Sequence, residues 1–352
     1  MAFRPIVLTV CNDPALAAAR RGFERHHEPV SIGVACPRGA VQRATRWSLT
    51  DQRGRPAAVQ TTTLDRWGDG SVRWLLAEFD ADVLPDSPSY YALAPDSAAE
   101  PVASPLVIDQ DRDALRVETG AAVFEVPRSG PGFLAAVRVD DGSLLQSATI
   151  NAEDHRGEQF VLVSRRLVIE RTGALRIAVR LEGELVGAAG QSWLDVTVRL
   201  LFFAGLGSVG VDVEVTNPRA ARHPGGTWDL GDPGSVLIRE LSIDIRTAPG
   251  DVNDVWGSLD HGDHMEPAGI RFAVHQDSSG GSNWQHLNHL NRDNCVPLSF
   301  RGFRAMRDGH SIEGLRATPI ASIGGGSRRV SVALPRFWQL FPKSIEAEAG
   351  HC

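Results

Sequence analysis

The sequence predicts an all-β protein, and three observations carry that prediction. Short apolar runs recur along the chain between Gly, Pro and Asp punctuation. Two later stretches alternate apolar and polar residues with period two. No long amphipathic helical pattern is visible. The expected architecture is a small β-barrel followed by a large antiparallel β-sandwich.

Ile6–Val10 reads as a short buried strand. Asp13 and Pro14 then suit the cap and first position of a short Ala-rich helix through Phe23. Val30–Ala35, Trp47–Thr50, Val59–Leu64, Val72–Asp80 and Tyr90–Ala94 are further strands at barrel-like spacing. Asp69-Gly70, inside RWGDGSVRWLL, is a hairpin signal, because such turns need a positive φ. Trp67 and Trp74 flank that turn. Either they fill the barrel core, or one of them, or Arg73, reaches a ligand.

Residues 95–106, rich in Pro, Ala and Ser, read as a linker. The expected limits are 1–98 for the barrel and 106–346 for the sandwich, with 347–352 as a polar tail. In the sandwich Leu194, Val196, Val198 and Leu200 alternate with polar residues, as do Val211, Val213 and Val215. Leu115–Thr119, Val123–Val126, Leu134–Val139, Leu167–Glu170, Ile177–Leu181, Ile238–Ile245 and Val330–Leu334 add strands. Phe337, Trp338 and Phe341 form an aromatic cluster that either packs back on the sandwich or leads into another domain.

At 352 residues the chain is long enough for two domains. Its net charge of -7 argues against general binding to nucleic acid or acidic membranes. No apolar run is long enough to span a bilayer. Four cysteines without a CxxC pair indicate neither a zinc ribbon nor a disulfide framework. The N-terminus has no export signal, so the expected location is cytoplasmic. No cofactor and no metal are expected.

Three polar stretches are candidates for chemistry. From His275 to Arg304 the chain gathers amides, histidines, arginines and one indole. Asn283, Trp284, His286, Asn288, His289, Asn291 and Arg292 fall within ten residues. Such a set suits a carbohydrate, whose hydroxyls need planar hydrogen-bonding partners and whose C–H face needs a ring. A loop that satisfies its own backbone explains the same composition. Arg219 to Ser235 holds His223, Trp228, Asp229 and Asp232 among glycines and prolines. It reads as a ligand loop or as a rigid connection anchored by Trp228. Asp260 to Glu266 resembles metal ligands, but an extended chain would split them two per face, so a solvated loop is expected.

Three of these segments, RWGDGSVRWLL (66–76), HPGGTWDLGDPGSV (223–236) and 276–304, together with FWQLFPKSIE (337–346), resemble the exo-rhamnogalacturonan lyase and YetA-like family. The resemblance implies an N-terminal RIFT-type barrel, a central β-sandwich and a C-terminal (α/α) toroid. On that plan this chain stops where the toroid begins, so a toroid domain is an expected missing partner. The implied reaction is β-elimination at a galacturonate within an acidic oligosaccharide or polysaccharide. On that resemblance His289 or His223 serves as base or proton donor, and Arg292 and Arg301 grip the carboxylate. Asn283, Asn288 and Asn291 hold hydroxyls, Trp284 or Trp228 stacks, and His286 and Asp229 complete the set. A non-catalytic glycan-binding module is the alternative. A glycoside hydrolase would need a carboxylate pair such as Asp229 and Asp232.

Overall fold

Strands with one apolar face dictate how this chain folds. A computed structural model describes residues 4–12, 24–42, 46–96, 98–99, 102–140, 142–220, 234–248, 254–260, 263–290, 295–325 and 328–349, with backbone alone at His289. Within these residues the protein is all-β, and its strand pairings are antiparallel. The expected helix near Phe23 lies outside the described residues.

The N-terminal unit is a barrel of two sheets. One orders Ile6–Val10, Ser89–Pro95, Trp47–Asp51 and Pro56–Ala57; the other orders Arg25–Ala35, Val72–Val83 and Val59–Arg66. Alternation along Val72–Val83 buries Leu75, Ala77, Phe79 and Ala81 against Leu49 and Leu93. Full burial of each large side chain contributes roughly 1.5–3 kcal/mol. The opposite face of that strand carries Glu78, which is also buried, because it meets Arg176 of the next domain.

The 67–71 turn is tight, with the Gly70 amide donating to the Trp67 carbonyl at 2.8 Å. Its two tryptophans are not in the barrel core. Trp74 is 42% exposed. The Trp67 indole N–H donates to the Cys36 carbonyl at 3.0 Å, with the Arg73 guanidinium 4.9 Å over its ring. An indole needs a partner for its N–H, and the sheet edge supplies one.

The middle unit is an eleven-stranded antiparallel sheet folded on itself. The alternating residues Leu194, Val196, Val198 and Leu200 are all buried in its core with Phe124, Phe160, Trp193 and Phe202. Gly142–Asp154 is a central link, pairing with Gln159–Arg171 at its end and with Ile238–Thr247 along most of its length.

Residues 106–346, expected as one sandwich, carry two separate hydrophobic clusters. The second belongs to a pair of four-stranded sheets built from Val255–Ser258 onward, with Phe272, Phe303, Ala321 and Phe337 inside. Phe337 is fully buried, so the aromatic cluster packs back on this unit. The expected polar tail begins too early. Lys343–Glu348 is a strand paired with Arg271–Gln276, and Ala347 is fully buried. Alternation of Ile345 and Ala347 with Glu346 and Glu348 was the sequence signal for it.

Candidate functional site

The hairpin between Gly142–Asp154 and Gln159–Arg171 turns through Asp154-His155-Arg156-Gly157-Glu158. Asp154 Oδ1 accepts the amide N–H groups of Arg156 at 2.8 Å and Glu158 at 2.9 Å. These bonds close the turn, and the Glu158 amide does most to hold the Asp154 carboxyl below its usual range. The His155 amide donates to the Leu237 carbonyl at 3.2 Å, which fastens the Ser235–Leu237 segment beside the turn.

A cleft of about 320 Å³ opens there. His155, Arg156, Glu158 and Trp193 line one side, and Arg219 and Ser235 the other. Trp193 is held by stacking on Phe160, with centroids 4.4 Å apart and planes at 29°. Gln191 donates to Glu158. Arg156 Nε donates to His155 Nε2 at 3.3 Å, so that imidazole nitrogen is the acceptor in this arrangement. Asp154 is occupied by amides and Glu158 by Gln191. Arg156 and Arg219 make no ion pair with a carboxylate among the described residues.

Asn217 clamps the neck of the connection that follows. Its side-chain amide donates to the Gly234 carbonyl at 2.8 Å, and its Oδ1 accepts the Arg219 amide at 3.1 Å. The Arg219–Ser235 stretch singled out in the sequence therefore begins and ends on the cleft. His223, Trp228 and Asp229 lie outside the described residues.

The 276–304 stretch sits on the other unit. Its root is buried and bonded inward. The Gln276 side chain donates to the carbonyls of Ser278 and Leu315 and accepts the Ala317 amide. Asp277 Oδ2 accepts the amides of Ser299 and Phe300, and Ser278 Oγ accepts the Gly302 amide. This half of the stretch is the self-satisfying loop that its composition also allowed. Beyond it Asn283, His286 and Asn288 are exposed and Trp284 is half-buried. His286 Nδ1 accepts the Asn288 amide at 3.2 Å and starts the 3-10 turn Leu287–His289. Arg301 Nε donates to the Gly280 carbonyl at 3.0 Å. Asn291, Arg292 and the His289 side chain lie outside what is described.

The two stretches are rooted on different cores. Arg328 Nη2, on the second unit, donates to the Ser143 carbonyl at 3.4 Å, at the start of the strand whose far end forms the cleft. Thirteen extended residues span roughly 40 Å. In the third stretch Asp260 accepts the Thr318 hydroxyl at 2.5 Å and Glu266 pairs with Arg307 at 2.6 Å. His261 is outside the described residues.

Sequence reasoning missed His155, Arg156 and Trp193. The only local signal was a polar Asp–Gly turn, which reads as punctuation.

Comparison with known proteins gives two matching family models. The PcRGLX-like N-terminal RIFT barrel domain matches residues 19–83, and the PcRGLX-like protein central beta sandwich domain matches residues 106–216. Together they cover half of the chain. This chain belongs to the PcRGLX-like family. The Asp154–Glu158 turn and Trp193 of this PcRGLX-like protein fall inside the sandwich match; Arg219, Ser235 and the second unit fall beyond it.

Among curated proteins it is similar to "Uncharacterized protein YetA" of Bacillus subtilis, 22% identical over 194 residues, covering 52% of this chain and 22% of YetA. It is also similar to an arginine–tRNA ligase of Frankia casuarinae, 31% identical over 150 residues, covering 39% of this chain and 24% of that protein. The chain thus spans less than a quarter of the length of either relative. No helix among the described residues is long and apolar enough to cross a membrane.

Proposed function

We propose that this PcRGLX-like chain is part of a rhamnogalacturonan-lyase-like protein that binds an acidic glycan in the Asp154–Leu237 cleft and acts on it from a chain end. The observation that carries this reading is the meeting in one cleft of His155, a tryptophan and two guanidiniums that make no ion pair with a carboxylate among the described residues. A guanidinium matches a carboxylate in bidentate fashion.

The chemistry is β-elimination at galacturonate. A base takes the C5 proton, the C5 electron pair forms the C4–C5 double bond, and the C4–O bond breaks. The leaving oxygen takes a proton. Arg156 and Arg219 would bind the carboxylate and stabilise the charge that develops on it. A uronate that engages Arg156 draws it from His155 and frees Nε2 to accept a proton. His223 on the same connection is the alternative base. Trp228 and Asp229 of that connection would contact the sugar. Asn283, Trp284, His286, Asn288, His289, Asn291, Arg292 and Arg301 would form a separate glycan-contacting surface on the second unit. A toroid domain, as the resemblance implies, would complete the cleft.

The exposure of His155 favours a second reading, a glycan-binding module without chemistry of its own. Incubation with rhamnogalacturonan separates the two. Elimination produces an unsaturated uronate that absorbs in the ultraviolet; binding with no such absorbance supports the module; absence of both product and binding overturns the glycan reading. A barrel within residues 1–98 and a place in pectin degradation belong to the same proposal. A cytoplasmic location is part of the same proposal.

A further inference from the structure

One edge of the middle sheet is open. Ile238–Thr247 pairs with Gly142–Asp154 on one side and with no strand on the other among the described residues. Ala148, Ile150 and Ala152 are buried in the core, opposite Ile245, Ile243 and Leu241. Ile245 packs against that core, whereas Ile243 is 37% exposed and Leu241 44%. The apolar face of the sheet therefore runs out to its edge and stays half uncovered there.

The main chain of that edge is set for a further strand. The Ala248 amide donates inward, to the Leu144 carbonyl. Ala148 bonds to Phe133 and Leu134 on its far side, so the main-chain groups of its neighbour Thr149 face Asp244. Alternate residues of a strand aim their N–H and C=O groups to opposite sides. Those of Asp244 and Arg246 thus aim inward. Those of Leu241, Ile243 and Ile245 aim outward, and such an edge templates pairing with another chain.

The charges on this strand decide which partner fits. Among the described residues Glu240 makes no ion pair, and Arg246 reaches only Asp244, at 4.0 Å. Consider two copies paired antiparallel about a two-fold axis at Ile243. Leu241 of each copy then lies opposite Ile245 of the other, and Glu240 opposite Arg246, so the ion pair forms twice. An axis at Ser242 would oppose Glu240 and Asp244, and one at Asp244 would oppose two aspartates. Like charges directly opposite each other destabilise a sheet. We propose that two copies of this chain pair through Ile238–Thr247 in the register centred on Ile243, which joins their middle sheets. A two-fold interface requires a surface complementary to itself, and this strand is one. The pairing does not depend on what the cleft binds.

Analytical ultracentrifugation of the full chain over a concentration series tests this. The proposal expects a monomer–dimer equilibrium. E240R and R246E each replace two ion pairs by two like-charge pairs, and each should weaken the dimer roughly tenfold. The double variant E240R/R246E restores opposite charges and should regain the affinity. I243K sets two ammonium groups on the axis and should leave monomer. A wild-type chain that stays monomeric at every concentration overturns the proposal, and so does a dimer indifferent to E240R and I243K. Failure of the double variant to recover overturns it as well. If a variant fails to fold, amide hydrogen exchange in the wild-type chain decides. Protection at the amides of Leu241, Ile243 and Ile245 that rises with concentration supports the pairing, and protection independent of concentration refutes it.

Discussion

Arg176 Nη1 lies 3.1 Å from Glu78 Oε1, and this buried pair fastens the middle sheet to the barrel. Glu78 is 1% exposed and Arg176 7%. Arg171 reaches the same oxygen at 2.9 Å, while Gln60 donates to Oε2 at 3.0 Å. Gln60 Oε1 in turn accepts the amides of Leu175 and Arg176. Burial pulls the Arg176 pKa down, and the charge of Glu78 opposes that shift. One carboxylate thus compensates two cations removed from water.

Glu78→Gln should therefore be costly, because it strands both guanidiniums. Breaking a buried pair typically costs about 3–5 kcal/mol. Denaturant unfolding followed by the barrel and middle-sheet tryptophans should show a lower midpoint and loss of coincidence between the two units. An unchanged midpoint would show that the joint is held by other contacts.

Gly280→Ala should destabilise the second unit by roughly 1–3 kcal/mol, since it adds a side chain at positive φ against the Leu315 carbonyl. Gly302, with φ 82 and a Cβ position 2.0 Å from the Gly314 carbonyl oxygen, should behave alike. Thermal unfolding measures both. Gly309, whose Cβ position is open, gives a comparison at similar φ.

Acid should loosen the cleft before it unfolds the fold. The Asp154 carboxyl is depressed in the folded state, mainly by the Glu158 amide. Its contribution is complete above the unfolded carboxylate pKa of about 3.9, and it is lost as pH falls through the lower folded value. Amide exchange at Arg156 and Glu158 should rise over that interval, and Asp154→Asn should abolish the pH dependence.

Period-two alternation made the barrel and middle strands legible, because half-buried strands must alternate. The 194–200 stretch stands where the pattern put it, whereas Ile6–Val10, expected as a buried strand, is a strand with only Leu8 buried. The division of residues 106–346 between two cores was not legible, since alternation shows that a face is buried but not against what. The polar loop was legible by composition, whereas the inward use of Gln276, Asp277 and Ser278 was not, because amides serve backbone and ligand equally well. His155 and Arg156 come from one hairpin and Trp193 from the next, and only the strand register brings them together.

Asn217→Ala should widen the neck of the Arg219–Ser235 connection without touching the cleft floor. Binding of an acidic oligosaccharide should weaken several-fold, mainly through faster dissociation, while the unfolding midpoint moves by about 1 kcal/mol or less. Stopped-flow measurements would show this. Equal affinity in the variant would mean that the connection contributes nothing to the cleft.

Amide hydrogen exchange with and without a de-esterified rhamnogalacturonan oligosaccharide tests the cleft most directly. Protection should appear at 154–158 and 235–237 and vanish in the Arg156→Ala variant. A bound oligosaccharide that leaves both segments unprotected would contradict the assignment.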